Sequence, residues 1–150
     1  MTGQDQPTVH ASAVLVGDRA VLIMGPSGSG KSRLAFDLIL AGKTGQIAPT
    51  RLVGDDRVLL SAEQGHLVVR PSPQLEGLIE IRGLGIRRCP HALKAVVGFL
   101  VELAASDADR MPAQDALETR LLGLNLPRIP VGQGFSPLPL VVAALTTTTG

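Results

Sequence analysis

Apolar residues in this chain fall in short blocks broken by Gly, Pro and Asp, and only one segment shows clear helical spacing. Residues 13–16 and 19–24 are apolar runs joined by Gly17-Asp18, which predicts two strands and a tight antiparallel hairpin. Within 32–41, Leu34, Ala35, Leu38 and Ile39 recur at helical spacing, with Gly42 as the expected stop. Strands are predicted over 51–53 and 57–61, on either side of Gly54-Asp55-Asp56, with a return over 66–69 after Gln64-Gly65. Residues 75–81 fit either period. The run 92–105 is expected to form a second helix, and beyond Ser106 Pro and Gly recur so often that only a short helix over 113–122 is predicted. Hairpins interleaved with helices imply an α/β fold with a mixed parallel and antiparallel sheet flanked by helices. No repeat or long linker divides the chain, so one domain is expected over 10–145, between a disordered tail over 1–9 and a frayed end over 146–150.

Composition narrows the function classes. With 150 residues, 45% of them hydrophobic and only 2% aromatic, the core must be built from Val, Leu, Ile and Ala. The formal charge of +1 argues against a dedicated nucleic-acid binder, and with three Phe and no Trp or Tyr, stacking on bases is nearly excluded too. No apolar run approaches the roughly 18 to 20 residues of a membrane span, and the polar start lacks the regions of a signal peptide, so a cytoplasmic protein is expected. The lone Cys89 rules out an intrachain disulfide and a multi-cysteine zinc site, and reads as a small hydrophobe or a surface thiol.

The strongest chemical signal is Gly25-Pro26-Ser27-Gly28-Ser29-Gly30-Lys31-Ser32, a gapless G-x-x-x-x-G-K-[ST] between a predicted strand and a predicted helix. Glycines at these positions let backbone N–H groups turn inward around phosphates, with the positive end of the helix dipole behind them. Lys31 is positioned to reach the β/γ-phosphates of a nucleotide, and Ser32 to place its hydroxyl on Mg²⁺.

Phosphoryl transfer also needs a carboxylate for the metal and a group to orient the nucleophile, and Leu52-Val53-Gly54-Asp55-Asp56 offers both. Two adjacent carboxylates exceed what one metal requires. One can face Mg²⁺ while the other accepts a proton from an attacking hydroxyl, which suggests a kinase rather than a simple hydrolase. Gly-Asp-Asp suits a plain turn equally well. A third carboxylate, Glu80, stands beside Arg82, Gly83 and Gly85, a combination suited to a metal contact with a loop approaching phosphate.

Together, the phosphate loop, the segment Leu52 to Val58 and Leu78-Ile79-Glu80-Ile81-Arg82-Gly83-Leu84-Gly85-Ile86 resemble the catalytic domain of the HPr kinase/phosphorylase family. That family phosphorylates a seryl hydroxyl of HPr, the phosphocarrier of the bacterial sugar phosphotransferase system, and many members reverse the step by phosphorolysis. The resemblance implies that residues 25–32 bind phosphates, that Lys31 is catalytic, and that Ser32, Glu80 and Asp55 serve the metal. It implies Asp56 as the general base, although the division of roles between Asp55 and Asp56 stays open. His10 falls where the family has a functional histidine, with Ala11 in place of the usual glycine. His66 and His91 carry no such implication.

Two departures shape what the resemblance predicts. The chain begins nine residues before His10, like truncated proteobacterial forms without the N-terminal domain, so regulation through that domain is not expected. Pro130-Val131-Gly132-Gln133-Gly134-Phe135-Ser136 stands where the family has Pro-Val-x-Pro-Gly-Arg-Asn, and Phe135 occupies the place of the arginine. A phenyl ring cannot pair with phosphate oxygens as a guanidinium does, so phosphorolysis is expected to suffer more than the kinase step. Arg82, Arg87 and Arg88 could supply positive charge instead. The resemblance further implies a homo-oligomer, usually a hexamer. A small-molecule kinase or ATPase, and a non-catalytic nucleotide sensor, are the competing readings.

Overall fold

In the computed structural model, residues 7–150 are described, and all but the last three of the expected disordered tail over 1–9 lie outside them. The elements follow in the order β1 (Thr8–Val9), β2 (Ser12–Val16), β3 (Arg19–Met24), α1 (Lys31–Lys43), β4 (Thr50–Gly54), β5 (Val58–Glu63), β6 (His66–Pro71) and β7 (Leu78–Ile81). They continue with β8 (Gly85–Arg88), β9 (Ala95–Leu103), β10 (Glu118–Leu121), β11 (Leu124–Val131) and α2 (Pro137–Thr146). Thr8 and Val9, expected in the tail, instead pair antiparallel with β5, which supplies partners for backbone groups on that side.

Two-residue turns set much of the pairing. Gly17 has φ +60 at the first turn position between β2 and β3, with Val16 opposite Arg19, as a II′ hairpin requires. Gln64-Gly65 joins β5 to β6, and Leu122-Gly123 joins β10 to β11, each with both residues at positive φ as a I′ hairpin requires. The second of these was not legible as a turn, because Leu at positive φ is an unusual choice that sequence preference argues against.

The main sheet runs β1-β5-β6-β9-β3-β2-β4, with β11 beside β9 and β10 beside β11. Strand β9 is parallel to β3 and β11, whereas β2 is antiparallel to both β3 and β4. The carboxyl ends of β4, β3, β9 and β11 therefore share one edge of the sheet. Open sheets of this kind bind ligands outside the carboxyl ends of their parallel strands.

The mixed sheet agrees with the expectation; the segment 92–105 does not. It forms β9, the central strand, because it is buried between β3 on one edge and β6 and β11 on the other. A strand covered on both faces reads as a continuous apolar run, which periodicity cannot tell from a buried helix. Val96, Val97, Phe99 and Val101 carry the β preference that decides it. Likewise, the predicted helix over 113–122 is a short 3-10 turn, Gln114–Leu117, leading into β10.

The second helix lies at the other end of the Pro-rich stretch. Pro137 and Pro139 fall in the first turn of α2, where no backbone N–H is needed, so they start the helix instead of breaking it. The helix also takes in Thr146, the first residue of the expected frayed end. Helix α1 continues through Gly42 to Lys43. Gly42 is there for space, since a Cβ would come within 2.8 Å of the backbone N and Oγ1 of Thr50.

Both helices pack on the same face. Leu34, Leu38 and Ile39 of α1 and Val141 of α2 share a core with Val14, Ile23, Leu52 and Val101. The opposite core contains no helical residue: Ala13, Leu22, Val53, Leu67, Val69 and Leu100 are enclosed by strands and by Ala92. Among the described residues the helices thus lie on one side of the sheet, and the core on the other is built from strand residues and Ala92. Strands β7 and β8 form a separate hairpin that exposes Leu84 and Ile86. No helix among the described residues is long and apolar enough to cross a membrane.

A polar cluster pins the β5–β6 hairpin. Arg70 Nη1 donates to Glu63 Oε2 at 2.6 Å, Ser61 Oγ donates to the same oxygen at 2.7 Å, and Lys94 Nζ lies 3.6 Å from Glu63 Oε1. The hydrogen bond from Arg70, followed by that from Ser61, holds the Glu63 carboxyl down from 4.5 to about 2. A carboxyl depressed in the folded state adds stability above its unfolded value, and that stability is lost as pH falls through the folded one. Glu63→Gln should therefore flatten the acid limb of the stability profile between those two values. The effect is small because the pair is partly exposed and screened. Melting temperature against pH for parent and variant checks it; parallel acid limbs would contradict the assignment.

Candidate active site

Residues 25–32 leave β3, reverse around Ser29 N–H bonded to Pro26 C=O at 3.1 Å, and enter α1. Gly25 is required by crowding: a Cβ there would meet Ser29 Oγ at 2.7 Å and Leu103 Cβ at 2.9 Å. Gly28 and Gly30 have open space around them but φ of +80 and +100, so conformation is what selects glycine. The loop closes around the Lys31 ammonium, which donates to Gly25 C=O at 2.8 Å and Pro26 C=O at 3.0 Å. Two of its three donors are thereby fixed, and the side chain is buried.

Beside the loop sits a second buried charge. Asp55 follows β4 and is 4% exposed, a burial tolerable only if its oxygens are fully engaged. They are: Oδ1 accepts from Ser12 Oγ and Ser32 Oγ, both at 2.7 Å, and Oδ2 accepts from Ser32 Oγ at 2.9 Å and Glu80 N–H at 3.0 Å. Of the four buried polar or charged residues among the described ones, Ser12, Lys31 and Asp55 lie at this loop and its neighbouring acid, so polar burial is concentrated here.

Asp56, one residue on, is treated differently. Its side chain is 63% exposed and its Oδ1 lies 3.0 Å from His10 Nε2. Its backbone has φ +70, at the centre of a three-residue turn closed by Arg57 N–H to Asp55 C=O at 2.8 Å. Ala11 N–H donates to Asp56 C=O at 3.2 Å and Asp56 N–H donates to Ser12 Oγ at 3.3 Å, which clamp this conformation from β2. A non-glycine residue held this way costs about 1–3 kcal/mol and persists only where its surroundings enforce it.

The structure thus brings together the loop, Ser32, Asp55, Asp56 and His10. Glu80 reaches the cluster through its peptide N–H while its side chain is exposed. Arg82 and Gly83 lie in the exposed turn of the β7–β8 hairpin and Gly85 opens β8, and none makes a side-chain hydrogen bond or ion pair to the phosphate loop among the described residues. Sequence reasoning missed Ser12. Its signal was a lone hydroxyl in an otherwise apolar strand, and only the folded register shows that it bridges the two aspartates.

The donor set fits Mg²⁺, which takes hard oxygens from one or two carboxylates and completes its shell with water and phosphate oxygens. Ser32 Oγ and Asp55 supply such oxygens side by side. Among the described residues no three His, Cys, Asp or Glu groups converge on one point. One further observation fits a ligand: Ser29 Oγ is the only buried side-chain polar atom without a hydrogen-bond partner among the described residues.

Comparison with known proteins adds a family to this geometry. The family model described as HPr Serine kinase C-terminal domain matches residues 4–148. The HPr kinase/phosphorylase of Bordetella pertussis is 34% identical over 155 residues, covering 94% of this chain and 48% of that protein. The HPr kinase/phosphorylase of Mycoplasma mycoides is 30% identical over 151 residues, covering 91% of this chain and 46% of that protein. The chain spans about half the length of these relatives. The solved structure of the Hpr(Ser) kinase/phosphatase from Coxiella burnetii superposes with a TM-score of 0.72 at 27% identity, covering 93% of each chain. A match across nearly the whole sequence, with the phosphate loop and the paired aspartates in place, shows that this chain belongs to the HPr serine kinase C-terminal domain family.

Proposed function

We propose that this domain transfers the γ-phosphoryl group of ATP to a seryl hydroxyl of the phosphocarrier protein HPr. The observation that carries the proposal is the contrast between the two neighbouring aspartates. Asp55 is buried and bonded to the phosphate-loop Ser32, whereas Asp56 is exposed, paired with His10 and free to meet an incoming hydroxyl. A hydrolase has to orient only a small water, whereas a base at the exposed surface suits a hydroxyl presented by another protein.

In this reading the N–H groups of residues 25–32 and the Lys31 ammonium hold the β- and γ-phosphates. Ser32 and Asp55 would hold Mg²⁺, with Glu80 as a further carboxylate, and the ion would supply positive charge beside the phosphates. Asp56 accepts the seryl proton as the hydroxyl oxygen attacks the γ-phosphorus and the bond from phosphorus to the departing ADP oxygen breaks, and His10 orients that carboxylate. Phe135 offers no guanidinium to a phosphate, so the reverse reaction is slower in this chain. A cytoplasmic homo-oligomer, with the hexamer as its fullest form, belongs to the same proposal.

The test combines the protein with Mg-ATP and HPr from the same organism and follows phosphoserine, then adds inorganic phosphate or pyrophosphate. Phosphoserine that forms readily and is removed slowly is the expected result. Fast ATP consumption with no protein acceptor would instead make the domain a small-molecule kinase or ATPase, and ATP binding without transfer would make it a sensor.

A further inference from the structure

The phosphate loop leaves β3 in the middle of the ligand-binding edge, with the acids on one side at β4 and a crevice on the other at β9 and β11. That crevice, of about 330 Å³, runs from residues 26–29 of the loop to Leu103, Ala104, Val131, Gly132, Phe135 and Pro137. In-line phosphoryl transfer sets the attacking and leaving oxygens on opposite sides of phosphorus. If Asp56 serves the attacking side, the leaving diphosphate and its nucleoside extend away from β4, across the loop and toward the crevice.

The crevice is equipped for an aromatic ligand. Of the three Phe, Phe36 and Phe99 pack against the core, whereas Phe135 is 73% exposed at the crevice wall. Its ring lies close over Gly132, whose Cβ would stand 3.2 Å from Phe135 Cδ2, and Phe135 N–H closes the turn on Gly132 C=O at 3.1 Å. A large phenyl held in water by a defined turn, beside a phosphate loop, presents a stacking surface. Ser29 lines the same wall, and its buried hydroxyl has no hydrogen-bond partner among the described residues.

We infer that the crevice between the phosphate loop and residues 131–137 receives the nucleoside of the bound nucleotide, with its base stacked on Phe135. The inference rests on the proposed phosphoryl transfer for the direction of the nucleotide, but it is tested by binding alone. Stacking reads the face of a base and not its edge, so purine nucleotides should bind with similar affinity.

The chain contains no Trp or Tyr, so Phe135→Trp places a lone indole at the site. ATP should quench its emission, whereas inorganic tripolyphosphate, which fills the loop but has no base, should leave it nearly unchanged. In parallel, Phe135→Ala should weaken ATP about tenfold or more, within the range of one lost base stack, and shift tripolyphosphate affinity by less than about twofold. Unaltered ATP affinity in Phe135→Ala, or equal quenching by both ligands, overturns the stacking inference and leaves phosphate binding intact. Failure of the parent protein to bind either ligand removes the proposed function and this inference together.

Discussion

Asp56→Asn is expected to reduce phosphoryl transfer to HPr by about 10²–10⁴-fold, the usual worth of a positioned general base, while ATP binds as it does to the parent. The amide keeps the shape and the hydrogen bond to His10 but cannot accept a proton. Because Asp56 is exposed and makes no side-chain contact to the phosphate loop, the nucleotide should not register the change. Single-turnover transfer measured beside equilibrium ATP affinity separates the two effects, and equal loss of both in a folded variant contradicts the role.

The backbone supplies an independent check on the same residue. At φ +70 an aspartate stores strain that glycine does not, so Asp56→Gly should be at least as stable as the parent while transfer is lost just as fully. A variant that is both more stable and inactive is hard to explain unless strain is kept at this position for the reaction. A large drop in stability would show that the carboxylate itself holds the turn together.

The parts of the site that were legible in the sequence are those fixed by local rules. The phosphate loop is contiguous, its glycines answer to φ and crowding within eight residues, and its helix follows directly. The β2–β3 hairpin was readable for the same reason, since Gly17-Asp18 sets its register alone. What failed depended on distant neighbours. Strand β9 looks helical until β3, β6 and β11 enclose it, and α2 looks broken until its prolines are seen to occupy the first turn. Ser12 is an ordinary strand residue until β2 pairs with β4 and brings its hydroxyl between Asp55 and Asp56. The crevice shares this origin, because residues 103–104 and 131–135 meet the phosphate loop only through the parallel pairing of β3, β9 and β11.

Asp55 gives the second large effect, and two substitutions divide its structural contribution from its chemical one. Asp55→Ala removes the acceptor for Ser12, Ser32 and Glu80 N–H in a buried place. The two hydroxyls can rotate to other partners but the peptide N–H cannot, so a loss of about 2–3 kcal/mol in folding stability is expected, read from denaturant midpoints. Asp55→Asn can keep its carbonyl oxygen on Glu80 N–H and turn its amide toward the two serine oxygens, which accept as well as donate. Its stability should stay within about 1 kcal/mol of the parent. The charge is nevertheless gone. Outer-sphere partners alone are worth about 10–100-fold in metal affinity, so losing a direct carboxylate should erase at least that much of the Mg²⁺-dependent gain in ATP affinity. ATP titrations with and without Mg²⁺ measure the gain. If Asp55→Asn retains it in full, Asp55 is a structural carboxylate, and the metal role passes to Glu80, the residue whose N–H bonds Asp55 and whose side chain is exposed.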